Sequence, residues 1–327
     1  MRRRAFFAGL AGAAAWPLVV RAQQPERMRR IGALISLPEN APLSQAYVAA
    51  FEQALGRLGW VEGEDIRIDY RFAASGPTLF KTFATELVSP SPDAILAGSS
   101  AAVAALWQQT HTIPIVFAGV ADPVGQGFVQ SLARPGGNIT GFSVYDASLM
   151  GKWLQLLKEI APNITRVAVI FNPDTAPQST LYNHEIEAAA ESLGVTVTLV
   201  PVHDDAEIQE TIAIQAGQPS GGLIAFPDSF NYTHREAINA AVVRHRLPVI
   251  ANYAPMAGGL MSYWPDPVDG YANAASYIDR ILKGASPADL PVQQPTRYSL
   301  IINLKTAKVL GLTVPPNMLD LADEVIE

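Results

Sequence analysis

From residue 30 onward the chain alternates two kinds of apolar pattern. Arg30–Ile35 (RIGALI) is a short, almost continuous apolar run of buried-strand type. A loop with proline follows, then a helical stretch in which Tyr47, Phe51, Ala54 and Leu58 recur on one face, and Gly59 closes it at a C′ position. Asp65–Tyr70 sets Ile66, Ile68 and Tyr70 against polar neighbours, as an outer strand does. A helix over Leu79–Val88, a strand at Ala94–Ala97, a helix from Ser100 to Gln109 and a strand at Ile113–Phe117 complete the run. Strands separated by 10 to 15 helical residues make βαβ units, and hence a parallel sheet.

The second half repeats this order. Arg166–Phe171 (RVAVIF) echoes Arg30–Ile35, and Ile186–Gly194 (IEAAAESLG) echoes Phe51–Gly59 (FEQALGRLG). Val195–Val200, Gly222–Ala225 and Leu247–Ile250 follow as the next strands, at an offset of about 130 residues, one domain's length. The fold class expected is α/β, two parallel-sheet lobes of one design. In open sheets of this class ligands bind beyond the carboxyl ends of the strands. Those ends are Ser36, Gly98-Ser99-Ser100 and Ala118–Asp122 in the first half, and Asn172-Pro173, Pro227–Ser229 and Asn252-Tyr253 in the second. If the lobes face each other, all six loops line one cleft.

Chemistry can be placed on these loops. Gly98-Ser99-Ser100 joins a buried strand to a helix, where free N–H groups and the helix dipole favour an anion. A serine there also commonly caps its own helix, and the two roles are compatible. Asp228 ends the equivalent strand of the second half; it can pair with a ligand ammonium under Phe230 or Tyr232, or cap a helix. Together the two ends would clamp a zwitterion, carboxylate on the serine side and ammonium on the aspartate side. Asp122-Pro123 reads as a turn or helix start, with a ligand role for Asp122 as the alternative. Tyr145, Tyr253, Tyr263 and Trp264 lie near loops, and pockets are lined by such rings around a few polar anchors.

Composition narrows the function classes. The 327 residues are 49% hydrophobic and 16% charged, so the chain folds rather than staying disordered. Its length suits two domains. Absence of cysteine excludes a disulfide scaffold, a thiolate metal site and a thiol nucleophile. A net charge of −7 argues against a grip on nucleic acid. Residues 1–22 pair Arg2, Arg3 and Arg4 with an apolar run from Ala5 to Val20 and small residues before a cut after Ala22, as a secretory signal does. Arg3–Phe7 also fits the twin-arginine pattern, so either Sec or twin-arginine export into the periplasm is expected. The run is too short and too rich in Gly and Pro for a stable membrane span. Without the signal the chain carries 19 basic and 30 acidic residues, net −11, and with no cysteine it lacks a lipid anchor point.

Catalytic motifs are missing. His184-Glu185 has no second histidine four residues after the first, and Gly141–Tyr145 lacks the second glycine of a nucleophile elbow. Gly125-Gln126-Gly127 lacks the third glycine of a dinucleotide fingerprint, and Asp204-Asp205 begins a helix more readily than it binds a metal. The expectation is no enzyme, no cofactor and no metal.

Several stretches carry a family resemblance. They are Pro114–Phe117 (PIVF), Asp122–Val124, Ser131–Gly141 (SLARPGGNITG), Arg166–Pro173, Asn303–Lys308 (NLKTAK), Leu310–Leu312 and Val314–Pro316. Over nearly all of the chain beyond the signal they resemble the ABC-transporter substrate-binding proteins of the tryptophan/tyrosine-binding type. The resemblance implies a type I periplasmic-binding fold: two Rossmann-like lobes, residues 30–143 with 264–292 and residues 144–263 with 293–327, joined by three crossovers near Gly141–Ser148, Gly258–Pro265 and Pro291–Tyr298. It implies a monomer that captures an amino acid or aromatic acid by lobe closure and hands it to a membrane permease. Ser36, Ser99, Ser100, Gly119, Val120, Ala121, Asp122, Asn172, Asp228 and Tyr253 are the expected ligand-binding residues. Carried over from the family, Ser99 and Ser100 would meet the carboxylate, Gly119–Ala121 would offer backbone groups, and Asp228 would meet the amine. A sensing subunit of a membrane receptor, or less favourably an exported enzyme on the same scaffold, are the alternatives.

Overall fold

The computed structural model describes residues 27–327 apart from Ser75, residues 146–147, Pro177 and residues 254–257. The export signal expected at residues 1–22 lies outside the described residues. Among those described, no helix is long and apolar enough to cross a membrane.

The first half forms a five-stranded, all-parallel sheet. Its strands are β1 (Arg29–Ile35), β2 (Ile66–Phe72), β3 (Ala94–Ala97), β4 (Ile115–Val120) and β5 (Ile139–Ser143), in the order β2-β1-β3-β4-β5. β1 pairs with both β2 and β3, and the central β3 is buried along its whole length. That burial is why the central strands read as unbroken apolar runs, whereas β2, at the edge, keeps polar residues facing out. Helices α1 (Pro42–Arg57), α2 (Pro77–Val88) and α3 (Ser100–Trp107) connect the first four strands. α1 buries Tyr47, Phe51, Ala54 and Leu55. Leu58, expected on that face, is 40% exposed, because the helix ends at Arg57 and Leu58 is its C-cap.

β5, not read from sequence as a strand, overlaps the start of the crossover expected near Gly141–Ser148, and one glycine makes it possible. Gly141 sits opposite Phe117 in the β4–β5 pairing, with φ near +151°, and a Cβ there would lie 2.2 Å from the Phe117 carbonyl oxygen. Only glycine lets the two backbones come this close.

The second sheet has seven strands, in the order β12-β11-β10-β9-β8-β6-β7. β6 (Arg166–Phe171), β7 (Thr196–Pro201), β8 (Gly221–Ala225) and β9 (Val249–Ala251) repeat the parallel plan of the first half. Their helices are α4 (Ser148–Ile160), α5 (Asn183–Leu193), α6 (Asp205–Gly217), α7 (Ser229–Thr233) and α8 (Arg235–His245). Asp204 caps α6 by accepting the Glu207 N–H, so the Asp204-Asp205 pair begins a helix. β10 (Met261–Trp264) extends the sheet in parallel, β11 (Ser299–Asn303) pairs antiparallel to it and β12 (Glu324–Ile326) lies beyond β11; α10 (Leu304–Leu310) and α11 (Pro316–Leu321) join these last two. Half of the stretch Gly258–Pro265, read from sequence as a crossover, is therefore strand, and the passage between the sheets follows it.

Between β10 and β11 the chain returns to the first sheet as α9 (Pro267–Leu282), which packs on α1, β3, β4 and β5. The chain thus passes three times between the sheets: after β5, after β10 and before β11. Aromatic rings pack these passages. Tyr145, just after β5, lies 5.1 Å from Trp264 at the end of β10, and Trp264 lies 5.9 Å from the fully buried Trp153 of α4. The Trp153 indole N–H donates to the Tyr263 carbonyl at 2.7 Å.

Candidate functional site

The strand ends of the two sheets converge on a cavity of about 450 Å³ between them. From the first sheet its lining takes Ser36 after β1, Gly98–Ser100 after β3, and Gly119 and Ala121 at the end of β4. The second sheet contributes Asp228 after β8 and Asn252 after β9, with Thr175 and Gln178 from the loop after β6. The passages between the lobes add Tyr145 and Trp264.

The first-sheet wall offers hydroxyl protons. The Ser99 hydroxyl caps α3 by accepting the Ala102 N–H at 3.1 Å, and it accepts from Ser36 Oγ at 2.5 Å. Its own proton therefore remains to be donated into the cleft. Ser100 accepts from Gln126 Nε2 at 2.9 Å and keeps its proton as well. Cap and donor coexist in one side chain, beside the N-terminal dipole of α3.

The second-sheet wall offers oxygen acceptors. Asp228 is 8% exposed and caps α7: Oδ1 accepts the Asn231 N–H at 2.6 Å, and Oδ2 accepts the Asn172 N–H at 3.1 Å. Burial pushes its carboxyl up to about 7, and the backbone N–H groups of Asn231 and Asn172 hold it from rising further. No cation is paired with it among the described ion pairs. Such a carboxylate favours an incoming positive charge.

Rings close the remaining sides. Tyr47 of α1 and Tyr271 of α9 stack with centroids 4.0 Å apart and planes within 10°. Burial, with Tyr271 alongside, raises the Tyr47 phenol well above its ordinary value, so it stays neutral. Tyr271 reaches over Gly98, where a Cβ would lie 2.3 Å from its hydroxyl oxygen. Gly98→Ala is therefore expected to displace the Tyr271 ring and lower stability by about 1–3 kcal/mol, the usual range for overpacking. A thermal melt that matches the unaltered protein would refute this.

Six of the ten residues expected from sequence line the cavity: Ser36, Ser99, Ser100, Gly119, Ala121 and Asp228. The other four do not, each for its own reason. Val120 is buried in the core cluster that holds Leu34 and Phe117. Asp122 has φ near +38° and turns its carboxylate back onto the Gly125 N–H at 2.9 Å, so it forms a turn. Asn172 donates to the Val202 carbonyl and accepts from the N–H groups of Asp174 and Thr175, which makes it a brace beneath Asp228. Tyr253 is buried edge-on against Tyr232. Of the two rings expected near Asp228, Tyr232 reaches the cleft, whereas Phe230 packs on His234. Tyr263, also noted from sequence, stacks on Tyr298 instead.

The sequence reading missed Thr175, Gln178 and the Tyr47–Tyr271 pair as cleft residues, and placed Asn252 on a cleft loop without naming it among the ligand-binding residues. Tyr47 had the spacing of a core position, and it is one; only the packing of α9 on α1 shows that this core borders a cavity. Among the described residues no group of three or more His, Asp or Glu is placed to hold a metal ion.

Comparison with known proteins agrees with this geometry. The family described as ABC transporter substrate binding protein matches residues 35–326. A tyrosine-binding protein of Clostridioides difficile (strain R20291) is 27% identical over 289 residues, covering 88% of this chain and 82% of the relative. A conserved domain protein of Vibrio cholerae superposes with a TM-score of 0.84 at 27% identity, covering 91% of this chain and 100% of that one. A Streptococcus pneumoniae ABC domain solved in complex with L-Trp superposes with a TM-score of 0.82 at 25% identity, with the same coverage of both chains.

Proposed function

The chain belongs to the ABC transporter substrate-binding protein family and has its type I periplasmic-binding fold, and from that premise we propose that it captures an aromatic amino acid outside the cytoplasm and delivers it to a membrane permease. One observation carries the ligand class. The interlobe cavity sets hydroxyl donors at a helix N-terminus on one wall against a buried, cation-free carboxylate on the other, with tyrosine and tryptophan rings between. An α-amino acid carries the complementary pair of charges, and an aromatic side chain suits the rings. The names of two relatives, one tyrosine-binding and one solved with L-Trp, favour the same class.

Ser99 and Ser100 would receive the carboxylate, with the Ser36 hydroxyl holding that of Ser99 in place, Gly119 and Ala121 would offer backbone groups, and Asp228 would receive the ammonium. The lobes divide at the passages after β5, after β10 and before β11. A ligand that touches both walls only when the cleft is shut shifts the population toward the shut form, which the permease then recognises. The role asks for no chemistry on the ligand, and a monomer suffices for it. Residues 1–22 would direct export and be removed, so the secreted protein is expected to begin at Gln23 when its N-terminus is read by mass spectrometry.

A thermal-shift screen of the mature protein against the natural amino acids and their aromatic acid analogues tests the reading. A ligand at 100 times its Kd adds about 2.7 kcal/mol, a rise in Tm of roughly 5 °C or more for a chain of this size. L-Trp or L-Tyr should give the largest rise, and no rise with any aromatic amino acid would overturn the proposal.

A further inference from the structure

The second-lobe wall of the cleft holds more acceptor capacity than the fold itself uses. Gln178 follows β6, Asp228 follows β8 and Asn252 follows β9, and these strands are neighbours: Ala225 of β8 lies opposite both Ile170 of β6 and Ala251 of β9. The three loops therefore sit side by side. Gln178 is 6% exposed, and its Oε1 is enclosed without a hydrogen-bond partner. Asn252 Oδ1 is likewise enclosed and unpartnered. Both residues border the cavity. Enclosed carbonyl oxygens are nearly always paired, because leaving one unsatisfied forfeits its hydrogen bond to water. Asp228 Oδ2 accepts the Asn172 N–H and, at 3.5 Å, the Asn231 side-chain amide, whereas Oδ1 accepts the Asn231 N–H and keeps the freer lone pair.

We propose that Gln178 and Asn252 join Asp228 in a three-acceptor socket for a primary ammonium, so that these two amides set the specificity of the cleft for a ligand with a free –NH₃⁺ group. The inference rests on the amino-acid reading above and sharpens it. An ammonium brings three donors and a positive charge, one donor for each of the three acceptors. A carboxylate brings no donor and is repelled by Asp228. A polyol brings donors without the charge that a buried carboxylate lacking a cation calls for.

Apolar isosteres separate this role from a structural one. Asn252→Leu removes an unpartnered oxygen, so the ligand-free protein should melt at the same temperature or higher; Gln178→Met removes one as well but also the amide hydrogen bond to Tyr145, so its melt should fall by no more than about 3 °C. Affinity for L-Trp or L-Tyr, measured by calorimetry, should nevertheless fall about tenfold in each. Asn252→Asp and Gln178→Glu keep an acceptor and should bind within about threefold of the unaltered protein. Isosteric variants that bind within twofold of the unaltered protein would overturn the socket. So would variants that lose stability and affinity together with no recovery in the acid-bearing pair. If the unaltered protein binds an aliphatic amino acid instead, the aromatic reading fails, and the same variants judge the socket with that ligand. If it prefers a polyol or an anion to every primary amine, the socket itself fails.

Discussion

Replacing Asp228 with alanine should weaken the binding of an aromatic amino acid by more than tenfold, and by about a hundredfold if the buried pair carries the roughly 3 kcal/mol usual for such contacts. The physical basis is the environment of the carboxylate. Its carboxyl is pushed up to about 7 from an ordinary value near 3.8 by burial, which the backbone N–H groups of Asn231, Asn172 and Phe230 only partly offset. The folded value lies above the unfolded one, so in the ligand-free protein this group favours folding below about pH 4, and that contribution is lost as pH rises through 7. Asp228→Asn keeps only one of the two acceptor oxygens and turns an NH₂ toward the Asn231 or Asn172 N–H, so it should weaken binding and remove this pH dependence of stability without stabilising the fold. An incoming ammonium reverses the balance by drawing the group into its ionised form. Below pH 7 binding must then expel a proton, and affinity should fall about tenfold for each further unit of pH while staying level between 7 and 8.5. Calorimetry at pH 6 in buffers of different ionisation enthalpy should show nearly one proton released. A flat affinity from pH 5 to 8 would remove Asp228 from contact with the ligand charge.

The elements that carry this carboxylate were legible in the sequence, and its setting was only partly so. β8 and the Asp228 loop read directly from an apolar run ending in a polar residue, and Ser99 read as both cap and donor from strand, glycine and hydroxyl in succession. Periodicity reports what a residue turns toward within its own element, so it placed Tyr47 on the buried face of α1. It cannot report that α9, more than 200 positions later, lays Tyr271 against that ring. β5 was hidden for a related reason: a glycine and a threonine in a five-residue strand look like a turn until Phe117 stands opposite Gly141. Val120 and Ala121 show the same limit at the scale of one residue. They are neighbours on one strand end, yet the first side chain points into the core of the first lobe and the second residue borders the cleft.

The largest effect on stability is expected in the passages between the lobes, at Trp153. Its side chain is fully buried, it touches Trp264 at 5.9 Å, and its indole N–H holds the Tyr263 carbonyl at 2.7 Å. Trp153→Ala removes the bulk of a buried tryptophan, about 3–5 kcal/mol, and strips a hydrogen bond from the strand that feeds the second passage. Tm should fall by roughly 10 °C. Trp153→Phe keeps an aromatic ring and loses the N–H, so it should recover more than half of that fall. The consequence reaches the cleft, because Trp264 and Tyr145 are in contact with each other and both line the cavity. With Trp153 gone, Trp264 loses the ring that backs it, and the two passages lose a fixed relative position. Ligand affinity should then drop less than tenfold, through looser closure rather than lost contacts, and the deficit should appear mainly as faster dissociation. A fall in Tm of less than about 2 °C would show that the aromatic string does not hold the passages together. A loss of affinity as large as that at Asp228 would mean that Trp264 meets the ligand directly.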